Sequence, residues 1–271
     1  MRRLLLSFLV TLSMAVAPAR AGEPGYSVTA DVPFGDLPHQ VLDIYTPAAV
    51  ADDTPVLVFL FGGGFRYGDK SRPRLIGESF AKTGTIVVAP NYRTNAAFPT
   101  FIEDAAKAVA HVRQELRTSR DDPRSIIVSG WSAGAYIGGA VSYDGRYLDA
   151  QGLPSDTVSG FIGLAGPYRG GLCAGARCDS IFPPATKADW PVASFVDPGD
   201  PPMLLVQGTL DNYVDIANLE TLAAAGDAAG LDVTTLVVEK RSHRSVMSDM
   251  ESPGTEVRRA VEAFLAQIAS D

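Results

Sequence analysis

Apolar residues along the chain form short β-branched and aliphatic runs, and these runs alternate with longer segments in which apolar positions recur every three or four residues. The short runs predict seven strands, at Val41–Tyr45, Val56–Phe61, Thr85–Pro90, Ser125–Ser129, Val158–Ala165, Pro202–Gln207 and Val233–Glu239. The longer segments predict helices at Pro73–Lys82, Thr100–Arg117, Ala133–Val141, Val214–Ala229 and Thr255–Ala269. This alternation is typical of an α/β protein with a mostly parallel central sheet and helices on both faces.

Length and charge narrow the class of protein. A chain of 271 residues with 46% hydrophobic residues can bury one large core, so a single domain is the simplest interpretation. Lys and Arg number 23 against 31 Asp and Glu, a formal net charge of −8, which provides no broad basic surface for a nucleic acid. Three histidines and two cysteines offer few soft ligands, so no metal site is expected.

The N-terminus has the three parts of a secretory signal peptide. Arg2 and Arg3 precede an apolar run, Leu4–Ala17, and the small-residue segment Ala19–Ala21 follows. An uncleaved membrane anchor is the alternative, but about 14 apolar residues fall short of the roughly 18 needed to span a bilayer. We therefore expect residues 1–21 to be removed and residues 22–271 to form the domain of an exported, periplasmic or extracellular protein with no membrane span.

Export changes the interpretation of the two cysteines. Cys173 and Cys178 lie in the segment GLCAGARC, and an oxidising compartment would allow them to form a disulfide. The short enclosed loop makes such a bridge a local staple. A redox site is the less favoured alternative, because the spacing is not that of the CxxC motif of thiol oxidoreductases.

The segment Gly130–Gly134 has the pattern G-x-S-x-G between a predicted strand and a predicted helix. In this context a tight turn holds the hydroxyl of Ser132 above the carboxyl edge of the sheet, as a nucleophile requires. The Ala133 backbone N–H at the start of the helix is then available to a developing oxyanion. An ordinary strand-to-helix turn is the structural alternative.

A glycine-rich segment, Phe61–Phe65, follows an earlier predicted strand. Its backbone N–H groups are free of obstructing side chains and could complete an oxyanion hole. A flexible turn is the alternative, and is the commoner meaning of three consecutive glycines taken alone. The G-x-S-x-G segment makes the functional interpretation the better one.

A nucleophilic serine needs a base, and the chain has only three histidines. His39 precedes an early strand and His111 lies on the polar face of its helix, so both are expected to be solvated. His243 follows the last predicted strand in a polar loop and is the candidate base. Asp211, after the preceding strand, is the candidate acid, with Asp215 as the alternative, although Asp215 lies where a helix is expected to begin.

These residues resemble the α/β-hydrolase superfamily, in particular the HGGG-type esterases related to bacterial feruloyl and acetyl esterases and to hormone-sensitive-lipase-like carboxylesterases. The resemblance covers nearly the whole mature chain and lies in LDIYTP at 42–47, FGGGFRYGDK at 61–70, NYR at 91–93, FPTFIEDAAKAVAHVR at 98–113, GWSAG at 130–134, QGTLDNYV at 207–214 and SHRSV at 242–246. It implies an α/β-hydrolase fold. It also implies a nucleophile, an acid, a base and three oxyanion N–H groups, at Ser132, Asp211, His243, Gly63, Gly64 and Ala133.

Two residues depart from the family pattern. Phe61 replaces the histidine that usually opens HGGG, so Phe61 would have to hold the glycine segment by packing. Gln207 replaces the histidine that is usual before the glycine of the acid loop. Neither change is expected to touch the three catalytic candidates. The family commonly carries its substrate-binding variation in the segment here numbered Gly166–Pro201, which we interpret as a lid-like insertion or pocket wall.

The leading hypothesis is a secreted serine hydrolase that cleaves carboxylic esters through an acyl-enzyme and needs no cofactor. An amide or peptide hydrolase of the same fold, or a catalytically inactive binding member, are the alternatives. The expected partner is a small-molecule or saccharide-linked ester. The acyl group, the alcohol and the oligomeric state are not specified by the sequence.

Overall fold

A computed structural model describes residues 25–116, 125–170 and 176–270. Its strands form one eight-stranded sheet in the order β1-β2-β4-β3-β5-β6-β7-β8. The strands are β1 (Tyr26–Pro33), β2 (Val41–Pro47), β3 (Val56–Leu60), β4 (Ile86–Pro90), β5 (Ile126–Trp131), β6 (Gly160–Leu164), β7 (Met203–Gly208) and β8 (Val233–Val238). Strand β2 is antiparallel to β1 and to β4, and all other neighbours are parallel. The predicted mostly parallel sheet is confirmed.

Helices cover both faces of the sheet, as predicted. They are α1 (Arg74–Ala81), α2 (Thr100–Glu115), α3 (Ala133–Tyr143), α4 (Arg146–Asp149), α5 (Ala176–Asp179), α6 (Ala217–Ala229), α7 (His243–Glu251) and α8 (Glu256–Ile268). The apolar sides of α2, α3 and α6 pack in one hydrophobic core, and those of α1, α7 and α8 pack in the other. The sheet lies between these two cores.

Strands β3 and β4 are apolar at every position because both faces of the sheet are covered. In β3, Val56, Val58 and Leu60 belong to one core, and Leu57 and Phe59 belong to the other. All five side chains are at most 1% exposed. This double burial accounts for the continuous apolar run from which the strand was predicted.

The sequence did not predict β1. Its residues, YSVTADVP, mix polar and apolar types and are mostly exposed, because β1 is an edge strand that pairs only with β2. The start of α6 also differs from the prediction: the helix begins at Ala217 instead of Val214. The Asp215 carboxylate accepts a hydrogen bond from the Ala217 backbone N–H at 2.8 Å, so Asp215 lies at the helix N-terminus as expected.

The prediction that His243 lies in a polar loop is wrong, because His243 is the first residue of α7. Ser242 caps this helix: its side chain accepts from the Ser245 backbone N–H, and the Ser245 side chain accepts from the Ser242 backbone N–H. This reciprocal pair is a capping box. Val246 and Met250, four residues apart, then anchor α7 in the core.

The predicted insertion, Gly166–Pro201, has little regular structure in its described part. It contains α5 and two short 3-10 helical turns, Pro184–Asp189 and Val192–Phe195. Cys173 and the predicted signal segment, residues 1–21, lie outside the described residues, so the disulfide and the signal peptide stay predictions. Within the described ranges no helix is long and apolar enough to cross a membrane.

Candidate active site

The four predicted catalytic segments meet at one edge of the sheet. Strands β3, β5, β7 and β8 are parallel, so their carboxyl ends point to the same edge. The glycine segment follows β3, Ser132 follows β5, Asp211 follows β7 and His243 follows β8. In open α/β sheets this carboxyl edge is where ligands bind.

Ser132 lies in a strained turn between β5 and α3. Its φ of 57° and ψ of −121° are unusual for a residue with a side chain. The turn needs glycine on both sides, because a Cβ at Gly130 would lie 2.4 Å from the Gly134 backbone. A Cβ at Gly134 would lie 2.1 Å from the Leu60 carbonyl oxygen. The G-x-S-x-G spacing therefore forms the turn that the sequence predicted for it.

The structure brings Ser132, His243 and Asp211 into one hydrogen-bonded chain. The Ser132 Oγ lies 2.9 Å from His243 Nε2, and His243 Nδ1 lies 2.7 Å from Asp211 Oδ2. The side chains of His243 and Asp211 are only 8% and 1% exposed. With Nδ1 bound to the carboxylate, Nε2 of a neutral imidazole is free to accept the serine proton.

Every oxygen of the Asp211 carboxylate has a hydrogen-bond donor. Oδ1 accepts from the backbone N–H groups of Tyr213 at 2.9 Å and Val214 at 3.0 Å. Oδ2 accepts from the Gln207 side-chain amide at 2.8 Å, and the same amide nitrogen donates to the Val214 carbonyl at 2.9 Å. These bonds fix the loop and turn Oδ2 toward His243.

The expectation that Gln207 does not touch the catalytic candidates is therefore wrong. Gln207 is next to the last residue of β7, and its 1% exposed side chain reaches the acid loop four residues further on. The turn from Gly208 to Asp211, closed by the Asp211 N–H to Gly208 carbonyl bond at 3.1 Å, brings the carboxylate back to that side chain. The loop path, which the sequence does not show, creates this contact.

Trp131 holds the backbone of the candidate base. Its indole Nε1 donates to the His243 carbonyl oxygen at 2.9 Å, and its ring centroid lies 4.9 Å from the imidazole centroid. The Tyr213 ring lies 5.4 Å from the imidazole centroid. Sequence reasoning assigned no role to Trp131, although its position beside Ser132 in the motif placed it at the site.

The glycine segment is held by an aromatic stack in place of the usual histidine. The Phe61 and Tyr92 rings are 4.2 Å apart at 12°, and the Tyr92 hydroxyl donates to the Phe61 carbonyl at 2.7 Å. Burial raises the pKa of Tyr92, so the hydroxyl stays protonated as a donor. Arg72 Nη1 donates to the Gly62 carbonyl at 3.2 Å. Phe61 therefore holds the glycine segment by packing, as expected from the sequence, and its partner is the Tyr92 ring.

The residues of the predicted oxyanion donors either line the cleft of Ser132 or directly follow Ser132 in the chain. Gly63 and Gly64 line the same cleft as Ser132, and Ala133 is the first residue of α3. The N–H groups in the first turn of a helix have no acceptor inside the helix, so the Ala133 N–H is available. These groups can stabilise negative charge on an oxygen bound beside Ser132.

A cleft of about 420 Å³ opens over Ser132 and His243. Tyr67 and Tyr213, 68% and 72% exposed, form part of its wall. The lining residues are Gly63, Gly64, Tyr67, Arg72, Trp131, Ser132, Tyr213, Val214, His243 and Arg244. None of them belongs to the described part of the predicted insertion. Phe182 of the insertion instead packs 4.9 Å from Phe65, next to the glycine segment.

The other candidates lie outside this cleft. His39 Nε2 is 3.4 Å from the Asp104 carboxylate, and Asp215 is at the start of α6. His111 is half-buried instead of solvated, and burial lowers its pKa. In residues 25–116, 125–170 and 176–270, no three His, Cys, Asp or Glu side chains are grouped so as to hold a metal ion.

Sequence comparisons match the chain to one family model and to proteins named as esterases. Residues 42–152 match the BD-FAE family model. The chain is 25% identical over 240 residues to isoprenylcysteine alpha-carbonyl methylesterase of Arabidopsis thaliana, covering 80% of this chain and 56% of that protein. It is 26% identical over 267 residues to esterase LipQ of Mycobacterium tuberculosis, covering 89% of this chain and 62% of that protein. The match thus spans less than two thirds of the length of either relative.

A solved structure shares the fold. A truncated carbohydrate esterase from gut microbiota superposes with a TM-score of 0.75 at 21% identity, covering 91% of this chain and 98% of that one. The strained serine turn between a strand and a helix, and the order of Ser132, Asp211 and His243 along the chain, are typical of the α/β-hydrolase fold. The chain has the α/β-hydrolase fold.

Proposed function

We propose that the chain is a serine hydrolase that cleaves carboxylic esters. The observation that carries the proposal is the hydrogen-bonded chain from Ser132 through His243 to Asp211, located at the carboxyl edge of the sheet and open to a cleft. The relatives named as esterases support the choice of ester bonds.

The geometry supports a two-step reaction. Ser132 Oγ attacks the ester carbonyl while His243 Nε2 takes its proton, and the N–H groups of Gly63, Gly64 and Ala133 stabilise the oxyanion. Collapse of the tetrahedral intermediate breaks the bond to the alcohol, which leaves with the proton from His243. Water then attacks the acyl-enzyme by the same route, releases the acid and restores Ser132.

The substrate is a small molecule or a saccharide-linked ester. A cleft of about 420 Å³ is in the size range of small-molecule sites, and its open wall leaves room for a larger alcohol portion to extend into solvent. The structural similarity to a carbohydrate esterase supports a sugar-linked ester as one form of this substrate.

The enzyme acts outside the cytoplasm in this proposal. The charged, apolar and small-residue parts of residues 1–21 support export with cleavage after Ala21, and an oxidising compartment supports a bridge between Cys173 and Cys178. The intact mass of the exported protein, measured after alkylation without reductant, tests both statements. A mass that includes residues 1–21, or two alkylated thiols, would contradict them.

A fluorophosphonate probe tests the chemistry directly, because it reacts with activated serines. We expect the protein to be labelled at Ser132 and to hydrolyse p-nitrophenyl esters, and the Ser132→Ala variant to lose both properties. Ser129→Ala is a matched control, since Ser129 is a buried strand serine two residues before the motif's tryptophan. Hydrolysis of the matched p-nitroanilide at a higher kcat/KM would favour an amide hydrolase, and absence of labelling would favour an inactive binding protein.

A further inference from the structure

Two guanidinium groups line the candidate cleft without any acidic partner in its wall. Arg72 and Arg244 are both exposed, and no Asp or Glu is among the residues of the described chain that line the cleft. The Asp211 carboxylate lies behind His243, is 1% exposed and accepts three hydrogen bonds besides its contact with the imidazole. Among the lining residues of the described chain, the two arginines therefore carry the formal charge.

Neither arginine is fixed in an ion pair in the part of the chain that the structure describes, although the charge of Arg72 helps to lower the pKa of the nearby Asp69 carboxyl. Within the described residues, neither side chain forms an ion pair. The side-chain hydrogen bond of Arg72 goes to the Gly62 carbonyl, which is uncharged, and the guanidinium keeps further N–H donors. Arg244 directly follows His243 at the start of α7, so its side chain begins beside the reacting group.

The net negative charge of the chain distinguishes the two cleft arginines from their surroundings. The whole chain carries a formal charge of −8, so its overall field repels anions. A guanidinium without an ion-pair partner, placed at the mouth of a cleft, attracts a carboxylate over short distances and can bind both of its oxygens. Tyr67 and Tyr213 provide apolar surface on the cleft wall, against which the uncharged part of such an ester can pack.

We propose that the site prefers esters that carry a carboxylate near the ester bond, with Arg244 as the residue that selects for this charge and Arg72 as a second contact. This inference rests on the proposed ester hydrolysis at Ser132. The carboxylate could belong to the acyl part or to the alcohol part of the ester, since both portions leave the reacting carbonyl through the same open cleft.

Two pairs of substrates distinguish these sources. For the alcohol part, 4-acetoxybenzoate is compared with the uncharged 4-acetoxybenzamide. For the acyl part, the mono-4-nitrophenyl ester of adipic acid is compared with the same ester bearing a terminal amide. We expect the wild-type protein to have a higher kcat/KM for the charged member of at least one pair, and the ratio within that pair to fall as NaCl is added.

The Arg244→Gln variant tests the residue. Loss of a charged hydrogen bond should lower the charged-to-neutral ratio about 10-fold, and Arg244→Lys should retain part of it. Arg259→Gln removes the same charge from an exposed position on α8, away from the cleft, and should leave the ratio unchanged.

The outcomes separate this inference from the proposed function. Hydrolysis of the neutral esters through Ser132 with no preference for charge in either pair, or an unchanged ratio in Arg244→Gln, would overturn the inference and leave the proposed function standing. No hydrolysis of any ester and no fluorophosphonate labelling at Ser132 would overturn both.

Discussion

Gln207 and His243 share one oxygen of Asp211: the Gln207 amide donates to Oδ2 at 2.8 Å, and His243 Nδ1 lies 2.7 Å from the same atom. The family commonly has a histidine at the position of Gln207. Here an uncharged amide orients the carboxylate and does not add a positive charge beside it. Gln207 is thus a positioning residue that acts on His243 through Asp211.

Replacing Gln207 with Met should lower kcat while leaving KM within about twofold, because the side chain contacts the acid and not the cleft. The hydrogen bonds from the Gln207 amide to the Asp211 carboxylate and to the Val214 carbonyl would both be lost, so we expect kcat to be about 10-fold lower. Gln207→His, which keeps a donor, should recover much of kcat. Steady-state kinetics on one p-nitrophenyl ester measure kcat and KM of both variants. An equal loss of kcat in Gln207→Met and Gln207→His would exclude a positioning role.

Asp211→Asn should lower kcat by about 10³ to 10⁴, because an amide at this place favours the wrong tautomer of the imidazole. Far-UV circular dichroism should be unchanged, since the amide keeps the shape of the carboxylate. Asp215→Asn is the matched control, because Asp215 is exposed and its carboxylate accepts from the Ala217 backbone N–H at the start of α6. A larger kinetic effect at Asp215 than at Asp211 would show that the acid is wrongly assigned.

The elements that could be predicted from the sequence are those whose pattern lies within one short segment. Ser132 was predictable because the strand, the two glycines and the helix lie within one short segment. Strand β3 was predictable because both of its faces are buried. Strand β1 was not, because an exposed edge strand lacks an apolar run. Helix α7 was missed because it has only nine residues, and only two of its apolar side chains, Val246 and Met250, are buried.

Contacts between distant segments were the part that sequence could not supply. The bond from the Trp131 indole to the His243 carbonyl joins residues 112 positions apart, and its formation depends on how β5 and α7 come together. The stack of Phe61 on Tyr92 likewise depends on the neighbouring positions of β3 and β4 in the sheet. Packing by Phe61 could be expected, but the partner ring could not be named.

Tyr92→Phe should keep the stack on Phe61 and lose the hydrogen bond to the Phe61 carbonyl. An unsatisfied buried carbonyl costs about 1–3 kcal/mol of unfolding free energy. Because this carbonyl belongs to the first residue of the glycine segment, kcat should also fall. Urea unfolding and steady-state kinetics of the variant measure the two effects. Tyr213→Phe, which changes an exposed tyrosine, serves as the control for stability, and an equally large loss of stability there would contradict the assignment.

Arg258 joins α8 to α1 from inside the protein. Its side chain is fully buried, stacks 3.4 Å from the Phe80 ring centroid and donates to Ser79, Thr83 and Glu262. Arg258→Met should lower the unfolding free energy by about 2–4 kcal/mol, because the hydrogen bonds of the buried guanidinium and its contact with the Phe80 ring are lost. Thermal unfolding measures the change.

The neighbouring Arg259 provides the control for that substitution. Its side chain is exposed, and Arg259→Met should change the unfolding free energy by less than about 0.5 kcal/mol. Since neither arginine lines the cleft, the folded Arg258→Met protein should keep its kcat for a p-nitrophenyl ester. Similar losses of stability in both variants would show that burial of Arg258 is not what matters.

Acid should destabilise the protein partly through Asp104, a 1% exposed carboxylate on α2. Burial raises the pKa of this group, but hydrogen bonds from Arg93 and Gln40 outweigh burial and hold the pKa below its ordinary value. A pKa that is lower in the folded than in the unfolded state contributes stability above the unfolded value of about 3.9. This contribution is lost as the pH falls through the folded value.

The Asp104→Asn variant isolates this contribution. At pH 7 it should be less stable than the wild type, because it loses the charged hydrogen bonds to Arg93, and the difference should shrink as the pH falls below about 4. Urea unfolding from pH 7 to pH 3 measures the difference. Glu103→Gln is the control: its side chain is 51% exposed and 3.4 Å from Arg93, so it should cost less than about 1 kcal/mol at pH 7. A difference between wild type and Asp104→Asn that stays constant from pH 7 to pH 3 would show that the ionised carboxylate is not what stabilises this cluster.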